Sequence, residues 1–105
     1  MTIDDLDARS LALHRQVAQK IRAAPELVHT ATANLARWKR RGVTDPLVDE
    51  WQRILDTGLD ATLTAATDDS DRGALLRRSS PFPGVLTPTE RTAILTAWRI
   101  VHEAR

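Results

Sequence analysis

Leu6, Leu13, Val17 and Ile21, with Ala18 beside them, recur at the three- and four-residue spacing of one helix face. Thr2 stands three residues before Asp5, so a hydroxyl and a carboxylate can satisfy free amide donors at a helix start. This pattern predicts a helix over 3–23 whose apolar line is core. Pro25 disfavours helical geometry at Ala24 and suits the first turn of a new helix, so the chain turns there and restarts. The second helix runs to about Arg41, with Val28, Ala31, Leu35 and Trp38 as its stripe and Gly42 as a left-handed stop. Asp45 and Pro46 are a side-chain cap followed by a preset first-turn residue. They lead into Leu47, Val48, Trp51, Ile54 and Leu55 at helical spacing, in a helix that ends near Gly58. Leu59, Leu63 and Ala66 support a shorter helix after it.

The run TDDSDRG (67–73) is a polar turn whose Asp and Ser residues can cap a brief helix carrying Leu75 and Leu76. SSPFPGV (79–85) holds two prolines and a glycine, so it is irregular, and its apolar Phe82 and Val85, with Leu86 beyond, imply that it packs down somewhere. Thr87-Pro88-Thr89-Glu90 offers a capping box with Pro at the first helical position. A last helix follows, with Ile94, Trp98 and Val101 as its face. No hairpin signal and no sustained alternation of apolar with polar residues predicts a strand. The fold class expected is all-α: a compact bundle of about five to six helices in one domain spanning 1–105, without a sheet.

Composition narrows the function. A chain of 105 residues with 42% apolar and 28% charged residues has the mixture of one folded domain rather than of a disordered tail. Fifteen basic residues against fourteen acidic leave a formal net charge of +1, so any electrostatic attraction to nucleic acid must be local. The absence of cysteine removes disulfides, thiol catalysis and cysteine-ligated zinc together. The acidic opening MTIDDLDARS lacks the layout of a secretory signal, and no apolar run approaches the ~20 residues that span a bilayer. A cytoplasmic protein without membrane contact is expected.

Candidate chemistry is sparse. His14, His29 and His102 fall on three different helices with no ligand partner at i, i+4, and read as partly exposed helix residues rather than metal ligands. TDDSDRG superficially resembles a calcium loop. Counted from Asp69, however, Ala74 occupies the place of the turn glycine and Ser80 that of the closing Glu. Ser10, Ser70, Ser79 and Ser80 lie in no nucleophile context, and the paired acids Asp4–Asp5 and Asp49–Glu50 sit at helix starts, where they stabilise the dipole. The expectation is a protein without catalytic residues, cofactor or metal.

Arg37, Lys39, Arg40 and Arg41, joined in one reading by Arg72, Arg77 and Arg78, are the best electrostatic feature and could meet phosphates or an acidic protein surface. The helix, the turn at Gly42–Thr44 and the next helix also have the connectivity of a helix-turn-helix, which makes DNA an alternative partner. Against it, the would-be reading helix opens with Asp45, Asp49 and Glu50, which phosphates repel. Trp38, Trp51 and Trp98 lie on apolar stripes and read as core or as interface anchors; Phe82, held between prolines, could either fill a partner's groove or plug the bundle's end.

The segments LLRRSSPFPGVLTPTERTAILTAWR, ALHRQVAQKIRAAPELVHTATANLARW and DPLVDEWQRIL together resemble small helical antitoxins that accompany nucleotidyltransferase-like toxins, chiefly through Ser79-Ser80-Pro81-Phe82 and Leu86-Thr87-Pro88. The resemblance implies a non-catalytic protein that binds and neutralises a toxin enzyme, by covering its active site. The physics of the residues nominates Phe82, Val85 and Leu86 as apolar anchors and Arg37, Lys39, Arg40 and Arg41 as cations facing an acidic cleft. A homodimer, in which the long first helix packs on a second copy, is a further possibility.

Overall fold

A computed structural model describes residues 2–103. Thr2 opens α1 (Ile3–Ala23) as a reciprocal cap. Its hydroxyl accepts from the Asp5 amide, and the Asp5 carboxylate accepts from the Thr2 amide, both at 3.1 Å. A 3-10 turn at Pro25–Leu27 leads into α2 (Val28–Arg40). Gly42, at φ 81°, ends this helix in the left-handed region. Its N–H donates to the Lys39 carbonyl and that of Val43 to the Trp38 carbonyl, which together close a Schellman motif. α3 (Pro46–Thr57) starts where Asp45 Oδ1 accepts from the Leu47 amide at 2.9 Å. α4 (Leu59–Ala66), α5 (Asp71–Arg77) and α6 (Pro88–Glu103) complete an all-α bundle with no strand among the described residues.

The polar run before α5 is a cap. Ser70 Oγ accepts from the Gly73 amide at 3.2 Å, and Asp68 Oδ1 accepts from the Ser70 amide at 2.9 Å. Gly73 is required for space rather than for backbone freedom, because a Cβ there would overlap the Asp68 carbonyl.

Val17 and Ile21 of α1, Leu35 of α2, Val48 and Trp51 of α3, Leu63 of α4 and Leu76 of α5 share one core. Trp51 is fully buried, its indole N–H donates to the Leu76 carbonyl at 2.8 Å, and Phe82 meets it edge-on with ring centroids 5.4 Å apart. α6 stands apart. It packs chiefly on α1, and none of its described residues is buried. Trp98 is half-buried and stacks on His102 at 3.8 Å instead of entering the core. Val101, expected on the packed face, is 55% exposed, and Leu6, expected in the core, is 43% exposed. In both helices the apolar stripe runs on beyond the surface available to cover it.

Phe82→Ala is expected to lower stability by about 3–5 kcal/mol, read as a fall in the urea midpoint, because it opens a cavity against Trp51. Val101→Ala should stay within about 0.5 kcal/mol of the parent. An unchanged midpoint for Phe82→Ala would remove the ring from the core.

Candidate functional site

Residues 79–86 link α5 to α6 and gather polar bonds from three other helices. Ser79 Oγ donates to the capping carboxylate of Asp45 at 2.7 Å. Asn34, buried on α2, donates through Nδ2 to the carbonyls of Pro81 at 2.9 Å and Pro83 at 2.8 Å, and its own Oδ1 accepts from Arg37 Nη2 at 2.5 Å. Lys20 Nζ donates to the Val85 carbonyl at 2.8 Å. The same ammonium pairs with Glu90 at 2.6 Å, and Glu90 closes the capping box of α6 by accepting from the Thr87 amide at 2.8 Å. The hydrogen bonds from Lys20, and after it from the Thr87 amide, hold the Glu90 carboxyl well below its ordinary range, at about 2.

His14 supplies the fourth strap and corrects the expectation of a partly exposed histidine. It is buried at 8% exposure. Nδ1 lies 2.7 Å from the Ser10 carbonyl, which can only accept, so Nδ1 carries the proton and Nε2 accepts from Ser80 Oγ at 2.7 Å. Burial is the main force that lowers its pKa from 6.5 to about 4. The Ser10 carbonyl opposes the shift, and the positive charge of Arg77 adds to it. The imidazole is therefore neutral at physiological pH.

A serine hydroxyl on a histidine whose other nitrogen is oriented by a carbonyl has the outline of a nucleophile and its base. The surroundings oppose that use. A base held near 4 takes up a proton poorly at neutral pH. Pro81 and Pro83 carry no N–H, and the amides of Phe82 and Val85 are engaged with Ser80 Oγ and the Phe82 carbonyl. What the geometry does supply is a latch between α1 and the loop.

Beside the latch lies a groove of about 570 Å³. Leu6, Leu13 and Val17 of α1 form one side, and Phe82, Pro83 and Leu86 form the other. His14 and Ser80 sit within it, and among the described residues its charged lining side chains are Arg9 and Arg91. Leu6 and Leu13 are the part of the α1 stripe that the core leaves uncovered there, whereas Val17 is buried.

The nominated partner-binding residues scatter. Phe82 at 3% and Val85 at 1% exposure are core, so neither ring nor methyls stand free as anchors; the ring plugs the bundle from inside. Leu86 is half-buried at the groove. Arg37 turns onto Asn34, whereas Lys39, Arg40 and Arg41 are exposed, Lys39 with its ammonium 3.2 Å from Gln52 Oε1. Arg72, Arg77 and Arg78 do not join them. Arg72 pairs with Glu50, Arg78 lies 3.7 Å from Asp7, and Arg77 is buried, donating to the Asp68 and Ala66 carbonyls at the end of α4. His29 is exposed, and His102 Nδ1 bonds the Trp98 carbonyl at 2.9 Å. No group of three or more metal-binding side chains occurs among the described residues, and no helix is long and apolar enough to cross a membrane.

Compared with protein-family models, curated proteins and solved structures, the chain matches none.

The latch gives stability a pH dependence of definite sign. An unfolded histidine protonates near 6.5 and the folded one near 4, so the unfolded chain binds more protons between those values. Stability contributed by neutral His14, roughly 3 kcal/mol, is full above about 6.5 and is lost as pH falls toward 4. Urea melts across this range should show the decline, and His14→Gln should flatten it. Glu90 acts lower, since its contribution fades only as pH falls from about 4.5 toward 2. A His14→Gln slope equal to the parent's would detach the effect from this residue.

Proposed function

We propose that this chain is a non-catalytic protein-binding module of the cytoplasm, and that its partner is a toxin enzyme which it neutralises in the manner of an antitoxin. The observation that carries the binding role is the uncovered apolar surface of α1 and α6. Ile3 and Leu6 at one helix's start and Ile100 and Val101 near the other's end are 43–66% exposed. α6 holds its place on α1 without burying one described residue. Amphipathic faces left open in this way mark surfaces that another protein covers. The identity of the partner as a toxin rests on the resemblance of the SSPFPGV–TPTE region to antitoxins. The poor base at His14 favours binding over catalysis.

DNA is the less supported partner, because α3 opens with Asp45 as its cap and Asp49 exposed, acids that phosphates repel beside the surface cations Lys39, Arg40 and Arg41. The two readings differ in salt response. Phosphate-driven binding falls steeply with salt, whereas an apolar interface hardly responds.

A tagged pull-down from the native host, at moderate salt with nuclease added, is expected to retain one stoichiometric protein whose enzymatic activity falls on adding this chain. Ile100→Asp with Val101→Asp should weaken that complex by about tenfold or more while the helical circular dichroism is unchanged. Retention of DNA alone when nuclease is omitted, or a complex dissolved by modest salt, would overturn the proposal.

A further inference from the structure

The groove between α1 and the 79–86 segment has a composition that specifies its guest. Resting on the protein-binding reading above, we infer that it receives an apolar segment of the partner protein that carries a carboxylate, the apolar side chains lying along Leu6, Leu13 and Val17 and the carboxylate meeting Arg9 and Arg91. A volume of about 570 Å³ lies within the range of sites that enclose a ligand. Its polar residues make few demands on an apolar guest. His14 and Ser80 are hydrogen-bonded to each other and the imidazole carries no charge, so covering them strands no donor.

Charge then selects among apolar guests. Arg9 comes from α1 and Arg91 from the first turns of α6; among the described residues no carboxylate lines the groove and neither arginine forms an ion pair, although Arg9 also borders a neighbouring cleft that Asp5 and Glu103 line. Two guanidinium groups beside an apolar trough attract a carboxylate and repel a cation. Pro83 and Pro88 in the lining lack N–H groups, which interrupts any run of backbone donors along this wall and leaves no regular strand edge to extend. Recognition therefore runs through side chains, as for an amphipathic helix or turn laid along α1. A nucleic-acid strand would use the two cations but leave the trough unfilled.

The test uses the full chain panned against a displayed library of short random peptides, with enriched sequences then synthesised and titrated by fluorescence anisotropy. Enriched peptides are expected to combine two or more large apolar residues with Asp or Glu, and to shift the methyl resonances of Leu13 and Val17. Arg9→Glu with Arg91→Glu, both outside the core, should keep the fold and weaken these peptides at least about tenfold, and peptides with Lys in place of the acid should regain affinity for that variant. Enrichment of basic or charge-free sequences, affinity unmoved by the charge reversal, shifts confined to Ile100 and Val101, or no enrichment at all would each overturn the inference. The protein-binding reading fails separately: a native partner that the charge reversal does not release leaves the module standing without this groove. Peptides bound in the groove with no native protein partner recovered leave the groove standing without the module.

Discussion

Two prolines in three residues impose the constraint on which the rest of the molecule depends. Pro81 and Pro83 cannot donate, and their carbonyls, carried inward by the packing of Phe82, lie where water does not reach all of them. A buried carbonyl without a donor costs more than a typical hydrogen bond returns. The two N–H groups of one amide, Asn34 Nδ2, meet both carbonyls, and Arg37 steadies the amide's oxygen. With that clamp closed, Phe82 sits edge-on to Trp51 and to His14, Ser80 reaches the imidazole, and the chain arrives at Thr87 aimed to begin α6. The irregular segment is thus the piece that α1, α2 and α3 hold in common.

Local chemistry made the helices legible. The starts of α1, α3, α5 and α6 carry their own signals in Thr2, Asp45, Ser70 and Thr87, each acts on atoms two or three residues away, and the observed caps use those atoms, whereas α2 and α4 start without a side-chain cap. The polar core is only faintly marked in the sequence, by position rather than by residue type. His14 stands three, four and seven residues before Val17, Ala18 and Ile21, and Asn34 three after Ala31 and four before Trp38. Both occupy core positions of their own stripes. Their type pointed outward and their position inward. The partners that decide the matter lie 66 and 47 residues away, beyond any local pattern. Phe82 was open between two readings for the same reason, since nothing within a few residues says which side of a rigid loop faces the bundle.

Arg72, Arg77 and Arg78 do not extend the basic end of α2, and within that end the cations take different partners. Arg37 and Arg41 are four apart, yet the first is drawn to Asn34 and the second lies exposed beyond the helix end. Arg77 became a structural ligand of backbone carbonyls, a use that only tertiary packing of α5 under α4 could reveal. The same limit holds for the apolar stripes, whose periodicity tells which face of α1 or α6 seeks cover and is silent on how much of it the chain itself supplies.

The way α6 is attached also divides the molecule in time. Its links to the remainder are surface contacts with α1 and a half-exposed ion pair at its first turn, whereas the other helices interlock through Trp51, Phe82 and Leu35. Opening α6 therefore exposes little that is dry, and its amides exchange with solvent through a local excursion that the core does not share. The chain is one bundle in space whose sixth helix rests on the outside of a five-helix body, so the cover that a partner gives α6 bears on the order of that helix more than on the core beneath it.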